Sequence, residues 1–248
     1  MKKLIVTLAL SALVSSAGYA ADLGGKLVKV GSDTTSPPME SVDPTSGQIV
    51  GFDVDVVNAI CVKINCKAEF VTTGWDGIFA ALDQGSFDLV ASGVSITDER
   101  KKAMDFSDPY IVNSQAILVR VADQDISLDG FKGKAKKLSA QANTTDAQVA
   151  EKIVGKDNVM AYDSFSASVI ALKNKDVDGV VINGANGPAY DREFAGDLVV
   201  GIKGLESDPL GLFFRKGDDN VAAFNEGIKQ IKADGTLDKL IAKYWGAK

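Results

Sequence analysis

The chain has 248 residues, of which 46% are hydrophobic and 24% charged, a balance typical of soluble globular proteins with one large or two small domains and not of disordered, collagen-like or coiled-coil chains. It carries 27 Lys and Arg against 33 Asp and Glu, a net charge of −6, so it lacks the basic signature of a nucleic-acid-binding surface. It contains no His, which excludes Ser-His-Asp triads and His-ligated metal sites, and we expect no metal and no cofactor.

The first segment, residues 1–20, has the layout of a secretory signal peptide. Lys2 and Lys3 precede an apolar run over residues 4–14, and small residues follow up to Ala20, where we expect cleavage. The alternative, a membrane anchor, is disfavoured because this run is too short to cross a bilayer. No Cys lies near the cleavage point to carry a lipid. We therefore predict an exported protein, free in a Gram-negative periplasm.

The segment after the signal peptide alternates predicted strands and helices. The predicted strands are 27–30, 68–71 and 87–91, and the predicted helices are 52–64 and 75–84, with Ser95 or Thr97 capping a further helical turn. This βαβαβ order predicts a parallel sheet with helices on both faces, and ligands of such sheets bind beyond the carboxyl ends of the strands. Asp33, Gly93 and Ser95 lie at such ends.

A second α/β unit begins after the interruption at Asp108-Pro109. Its predicted strands are 116–121, 138–140, 159–161, 180–182 and 198–201, and its helices are a Thr144-capped one to about 154, a Ser164-capped one to about 173 and one from about 185. After Asp208-Pro209, the pattern predicts a strand over 210–214 and helices over 221–233 and 237–244.

The only two cysteines, Cys61 and Cys66, lie at the end of a predicted helix and just before a predicted strand. A reversal between the two elements would bring them together. In an oxidising compartment, an even pair at close range favours a disulfide over a metal or redox site. Two free buried thiols remain the alternative, and they would leave the function unchanged.

Arg100 lies in the first turn of a predicted helix, directly after a strand end. The helix dipole disfavours a cation there, so we expect an anionic partner, and a guanidinium group binds a carboxylate in a bidentate manner. The alternative is a surface ion pair with Asp98, Glu99 or Asp105.

Four further positions are weaker candidates for ligand contacts. Thr144 and Thr145 would place hydroxyl and N–H groups at a helix N-terminus, which either binds an anion or is a plain N-cap. Trp75 begins a helix near the sheet rim, where it either stacks on a ligand or packs in the core. Asp33 either pairs with a cationic or amide group or closes an Asx-turn.

Four sequence blocks, taken together, resemble those of a known family. They are residues 50–55 (VGFDVD), 95–100 (SITDER), 105–110 (DFSDPY) and 233–237 (ADGTL). In this order, and over nearly the whole mature chain, they are similar to the polar amino-acid group of the bacterial extracellular solute-binding proteins, family 3. The resemblance implies a two-lobed periplasmic-binding-protein-like α/β fold of type II, with two discontinuous lobes joined by two hinge strands. Lobe 1 would comprise residues 21–112 and 207–248, and lobe 2 residues 113–206.

The resemblance also implies the ligand contacts, in the cleft between the lobes. Arg100 would clamp a carboxylate, Gly93 and Ser95 would bind the amino-acid head, Thr144 and Thr145 would form the carboxylate loop of the second lobe, Asp33 would meet the ligand side chain, and Trp75 would form one wall.

Three positions depart from the family pattern. Asn183 stands where the family usually has an Asp that pairs with the α-ammonium group of the ligand, Ser36 where it commonly has an aromatic residue, and Asn143 where it usually has Gly. Asn183 can accept a hydrogen bond through its carbonyl oxygen, but a charge-assisted bond is roughly twice as strong. Either another acid substitutes, or the ligand is not a typical α-amino acid.

The expected function is that of a periplasmic receptor that delivers a small carboxylated, amino-acid-like solute to the inner-membrane permease of an ABC importer. We expect a monomer without catalytic residues. The alternative is a dehydratase-like enzyme, since some relatives on this fold perform eliminations on carboxylated substrates, yet no feature of the sequence marks a base. A third hypothesis is a receptor that docks on a membrane-bound sensor.

Overall fold

The computed structural model describes residues 21–132 and 136–246, so the predicted signal peptide, residues 1–20, lies outside the described residues. The strands are β1 (Lys26–Ser32), β2 (Thr35–Ser36), β3 (Glu40–Val42), β4 (Ile49–Val50), β5 (Cys66–Thr72), β6 (Leu89–Val90), β7 (Met104–Phe106), β8 (Ile111–Arg120), β9 (Leu138–Gln141), β10 (Val159–Tyr162), β11 (Gly179–Asn183), β12 (Leu198–Ile202), β13 (Ser207–Leu210) and β14 (Phe213–Arg215). The helices are α1 (Phe52–Ile64), α2 (Trp75–Asp83), α3 (Asp98–Ala103), α4 (Leu128–Phe131), α5 (Thr145–Val154), α6 (Phe165–Lys173), α7 (Gly187–Glu193), α8 (Asn220–Ala233) and α9 (Thr236–Trp245). Within the described ranges, no helix combines the length and apolar character that crossing a membrane requires.

The first sheet has the strand order β5-β1-β6-β14-β7. β1 pairs in parallel with β5 and β6, which confirms the predicted βαβαβ unit, and β14 runs antiparallel to β6 and β7. Apolar residues of α1 and α8, such as Ile60 and Phe224, cover one face. Those of α2, such as Ile78 and Leu82, cover the other. Helices on both faces leave the carboxyl ends of the parallel strands as the open edge of this lobe.

The second sheet has the order β10-β9-β11-β8-β12. β9 pairs in parallel with β10 and β11, whereas β8 is antiparallel to β11 and β12. Val169 and Leu172 of α6 pack with Val180 and Ile182 on one face. Val149 of α5 belongs to a separate core on the other. The carboxyl ends of β9 and β11 therefore open toward the N-terminus of α5.

Two strands, β8 and β13, run between the sheets. β13 pairs with the first part of β8, Asp208 opposite Asn113 and Pro209 opposite Val112, while the later part of β8 pairs with β11 and β12. The prediction of one strand over 210–214 was wrong, because β13 ends at Leu210 and β14 begins at Phe213. The lobe boundaries 21–112, 207–248 and 113–206 stay a prediction.

Hydroxyl side chains cap four of the described helices, and Ser127 is the cap of α4. Thr97, Thr144 and Ser164 each accept a hydrogen bond from the backbone N–H three residues later, which satisfies one of the donors that a helix N-terminus leaves free. Thr97 is thus the cap of α3, and the caps predicted at Thr144 and Ser164 are confirmed. These caps fix where α3 and α5 begin, and both helix starts lie at the candidate site.

A disulfide joins Cys61 in α1 to Cys66 at the start of β5. Between them Asn65 has φ 52, the left-handed conformation that ends many helices, so the chain reverses and the two sulfur atoms meet. The pairing predicted from the sequence is present, and neither cysteine is a free thiol.

Candidate functional site

The candidate site is a narrow cavity of about 20 Å³ between the two sheets. It is lined by Trp75, Ser92, Gly93, Ser95, Arg100, Thr144, Thr145, Asp146, Phe165 and Asn183. The structure therefore brings together every ligand contact predicted from the sequence except Asp33. Ser92, Asp146 and Phe165 were not predicted.

The turn after β6 carries the backbone of the first lobe to the cavity. Gly93 has φ +56, and its N–H donates to Asp53 Oδ2 at 2.7 Å. A Cβ atom at Gly93 would lie 3.4 Å from Asn183 Nδ2 in the other lobe. Glycine is needed here for its left-handed backbone, and the missing side chain lets the two lobes approach closely.

The guanidinium group of Arg100 reaches across the mouth of the cavity. It donates to the backbone carbonyl oxygens of Ser95, at 3.0 Å, and of Asn143, at 3.4 Å, and lies over the rings of Trp75 and Phe79 at 5.4 and 5.6 Å. Burial lowers the pKa of Arg100, but a guanidinium group stays charged at neutral pH. The site therefore holds a half-buried cation that retains donors for a ligand.

The three acids proposed as surface partners of Arg100 pair with lysines instead. Asp98 lies 3.7 Å from Lys101, Glu99 contacts Lys102, and Lys216 contacts Asp105. None of the ion pairs among residues 21–132 and 136–246 includes Arg100. The surface ion pair considered for Arg100 is therefore wrong, and its charge is directed at the cavity.

Thr144 and Thr145 have different roles at the start of α5. Thr144 Oγ1 caps the helix and donates to the carbonyl oxygen of Gln141 at 2.6 Å. Thr145 Oγ1 lies 3.1 Å from Ser95 Oγ in the other lobe and accepts from Gln115 Nε2 at 3.4 Å. The cap fixes where the helix begins, and Thr144, Thr145 and Asp146 at that start line the cavity.

Trp75 and Asn143 join the lobes beside this cavity. Trp75 is buried against Phe79, and its Nε1 donates to the carbonyl oxygen of Asn143 at 3.3 Å. Asn143 has φ 60, a conformation that Asn adopts more readily than most residues, and its amide group donates to Asp76 Oδ1 at 3.1 Å. Trp75 therefore both packs in the core and lines the site.

Asp33 and Ser36 lie at a second set of contacts between the lobes. Asp33 Oδ2 accepts from Gln141 Nε2 at 2.5 Å. Burial raises the pKa of Asp33, although hydrogen bonds from Gln141 and Thr35 partly offset this effect. Ser36 Oγ accepts from Asn186 Nδ2 at 2.7 Å. The carboxylate predicted to meet a ligand side chain is thus paired within the protein.

The orientation of the Asn183 amide is fixed by a chain of hydrogen bonds. The backbone N–H of Ala185, which can only donate, donates to Asn113 Oδ1 at 3.1 Å. Asn113 Nδ2 therefore donates to Asn183 Oδ1, at 2.7 Å. The Nδ2 group of Asn183, a donor, remains on the side toward Gly93 and the cavity. The sequence suggested an accepting oxygen here, and the structure places a donor.

Asp146, the second residue of α5, lines the cavity with a carboxylate. Asp146 is only 2% exposed, and its Oδ1 atom is buried without a hydrogen-bond partner. Burial, followed by the charge of Asp208, raises the pKa of Asp146 to about 7, although Arg100 and the backbone of Asn183 lower it. In the sequence, Asp146 is simply an acid in the first turn of a predicted helix, a common position that does not indicate a ligand contact.

A buried acid pair, Glu40 and Asp53, lies beneath the turn after β6. Glu40 Oε1 accepts from Ser92 Oγ at 3.0 Å, and Asp53 accepts from Gly93 N–H and from Tyr110 Oη. Burial raises the pKa of Asp53 to about 6. The pKa of Glu40 is raised well above 4.5, mainly by burial and secondly by the charge of Asp53. Two buried carboxyl groups side by side favour one shared proton, and the pair positions the turn that faces the cavity.

We expect Glu40→Gln to stabilise the protein above pH 7. A carboxyl group whose pKa is raised by folding contributes stability at low pH, and that contribution is lost as the pH rises through the folded pKa. Glutamine keeps the acceptor for Ser92 and gives the Asp53 carboxylate a permanent donor in place of the Glu40 proton. The unfolding free energy at pH 8 should rise by about 1–2 kcal/mol, and the gain should vanish near pH 4.

Thermal and urea unfolding at the two pH values measure this effect. Glu69→Gln, on the exposed side of β5, is the matched control and should change neither value. A Glu40→Gln protein that is less stable than the wild type at pH 8 would contradict the shared proton.

Comparison with known proteins gives one consistent result. Residues 28–247 match the family model described as bacterial extracellular solute-binding proteins, family 3. The chain is 36% identical to the probable histidine-binding protein of Neisseria gonorrhoeae, over 99% of this chain and 96% of that protein.

Solved structures give the same picture. The arginine-, lysine-, histidine-binding protein of Geobacillus stearothermophilus is 33% identical with a TM-score of 0.81, over 90% of this chain and 96% of that one. An ancestral amino acid-binding protein, a precursor of cyclohexadienyl dehydratase, is 35% identical with a TM-score of 0.79, over 88% of this chain and 95% of that one.

Proposed function

Because the chain belongs to family 3 of the bacterial extracellular solute-binding proteins, we propose that it is the periplasmic receptor of an ABC importer and that its ligand is an α-amino acid. The observation that carries the proposal is Arg100, whose guanidinium group has no carboxylate partner among the described residues and faces the N-terminus of α5 across the cavity. A ligand carboxylate bound there would receive charge-assisted hydrogen bonds from both lobes.

The arrangement of the lobes supports capture by closure. Gly93, Ser95 and Arg100 belong to one side of the cavity, and Thr145 and Asp146 to the other. A ligand that contacts both sides stabilises the closed form relative to the open one, since only differential binding shifts such an equilibrium. The compared proteins are named for binding histidine, arginine and lysine. Amino acids are therefore the first ligands to test.

The finer points of the proposal concern location, partner and chemistry. We place cleavage of the signal peptide near Ala20, the mature protein in the periplasm as a monomer, and the importer permease as its membrane partner. The protein releases its ligand unchanged. The relation of one compared structure to a dehydratase makes turnover worth measuring.

A thermal-shift screen of the ligand-stripped, refolded protein tests this function. The ligands are the twenty common L-amino acids, their analogues without the α-amino group, polyamines and small dicarboxylic acids. We expect stabilisation by one or a few amino acids, with about 2.7 kcal/mol at 100 times the dissociation constant. NMR should recover that amino acid unchanged after incubation. No shift with any amino acid, or conversion of the ligand, would contradict the proposal.

A further inference from the structure

The cavity holds one cation and one acid that are not paired with each other. Arg100 and Asp146 both line it, and neither takes part in an ion pair among residues 21–132 and 136–246. Opposite charges that face the same cavity without meeting are complementary to a ligand that carries both signs. Such a ligand is a zwitterion whose carboxylate and ammonium groups are close together.

An ammonium group brings only hydrogen-bond donors, so it requires acceptors. Asn183 presents its Nδ2 donor toward the cavity, because Asn113 occupies its oxygen. Asp146 presents the opposite chemistry, a carboxylate oxygen that is buried and has no donor in the protein. The backbone of Asn183 acts on this carboxyl group, but its Oδ1 atom has no partner. A buried carboxylate oxygen without a partner costs free energy unless a cation or donor reaches it.

The other acids near the site are less suited to this role. Asp33 Oδ2 is bonded to Gln141, and Asp33 does not line the cavity. Asp208 Oδ2 accepts from Gln115 Nε2 at 3.0 Å and also lies outside the lining. Glu40 and Asp53 are held beneath the turn by Ser92, Gly93 and Tyr110.

We propose that Asp146, at the start of α5, binds the ammonium group of the ligand, so that the ammonium is held by the second lobe next to the helix that also faces the carboxylate. This proposal rests on the proposed function as an amino-acid receptor. It assigns the counter-charge to a residue adjacent to Thr145 and gives Asn183 a different part, donation of a hydrogen bond from its amide group.

The test compares each binding amino acid with its analogue that lacks the α-amino group. Isothermal titration calorimetry is carried out on the wild-type mature chain and on Asp146→Asn, with the L-amino acids that stabilise the wild type in the screen. We expect Asp146→Asn to weaken amino-acid binding at least about thirtyfold and to change binding of the analogue by less than about threefold, since loss of a charge-assisted bond affects only the ammonium. In Asp146→Asn/Asn183→Asp, a carboxylate oxygen again faces the cavity, and part of the lost affinity should return.

Asp33→Asn and Asp208→Asn are the matched controls, because both remove an acid near the site without touching the cavity lining. Each should leave the preference for the amino acid over its analogue unchanged. If either control removes that preference, or if Asp146→Asn keeps it, Asp146 is not the ammonium partner, while amino-acid binding by the wild type still stands. If the wild type binds no amino acid, the proposed function fails and the assignment of Asp146 fails with it.

The pH dependence of wild-type binding gives a readout that needs no variant. The groups that act on the Asp146 carboxyl are Arg100 from α3, Asp208 from β13 and the backbone of Asn183 from β11. Since only the ionised carboxylate binds an ammonium, affinity for the amino acid should fall up to about tenfold per pH unit as the pH drops from 7 to 5. The titration of Asp53 affects both ligands alike. The analogue has no ammonium group, so its affinity should fall much less. Equal slopes for the two ligands would overturn the assignment.

Discussion

Replacing Arg100 by alanine is expected to lower the affinity for the amino-acid ligand by at least about a hundredfold, because removing one partner of a buried charge pair typically costs 2–5 kcal/mol. The guanidinium group lies against Trp75 and Phe79 and has no acid as a partner in the described parts of the chain. A ligand carboxylate that replaces water at this position would lose both its counter-charge and its bidentate donors in the variant.

Two controls separate this effect from general damage. Lys101→Ala removes the neighbouring cation on the same helix, which is exposed and pairs with Asp98, and it should change affinity by less than about twofold. Arg100→Lys keeps the charge but loses the planar, bidentate guanidinium group, so its affinity for the ligand should lie between those of the wild type and Arg100→Ala. Calorimetric titration gives the three values. A loss of less than tenfold in Arg100→Ala would remove the main support for the carboxylate site.

Replacing Gly51 by alanine is expected to lower the free energy of unfolding by about 3 kcal/mol or more, through backbone strain together with a steric clash. Gly51 has φ +146, and a Cβ atom there would lie 2.1 Å from the carbonyl oxygen of Met39. The next two N–H groups, of Phe52 and Asp53, donate to Pro38 and Met39, so the backbone cannot move away without losing them. The damage would reach the cavity, because Asp53 holds the N–H of Gly93.

Gly47→Ala is the matched control. Gly47 also has a positive φ, +70, but a Cβ atom there would meet nothing within 4 Å, so only strain of about 1 kcal/mol is expected. Urea unfolding of both variants measures the difference. Equal loss of stability in the two proteins would show that contact with Met39 does not matter.

The local structure was largely predictable because it depends on neighbours in the sequence. The apolar periodicity of α1 and α8 and the hydroxyl caps at Thr144 and Ser164 each act within a few residues. The break between β13 and β14 lies at distant contacts: the N–H of Gly211 donates to the carbonyl oxygen of Val94, and a Cβ atom at Gly211 would lie 2.7 Å from Ile96. No pattern within residues 205–215 contains that information.

The candidate site followed the same division. Seven of the ten lining residues could be predicted from motifs at strand ends and helix starts. The roles of Asp33, Asn183 and Asp146, by contrast, depend on partners far away in the chain. Asp33 is bonded to Gln141, and the amide of Asn183 is oriented by Asn113 and Ala185. The role of Asp146 can be recognised only once the cavity that it lines is known. Residue type is a local property, whereas orientation and burial are tertiary ones.

Three hydrogen bonds that join the lobes in or beside the cavity affect how fast a ligand can leave. Trp75 with Asn143, Asp33 with Gln141 and Ser36 with Asn186 bind the two lobes to each other directly. A ligand enclosed behind them leaves only after these bonds open together, so its residence time is governed by lobe separation as well as by its own contacts. Variants that weaken the Asp33–Gln141 or Ser36–Asn186 bond would shorten the residence time without altering a residue that lines the cavity. Delivery to the proposed permease would then require these bonds to open.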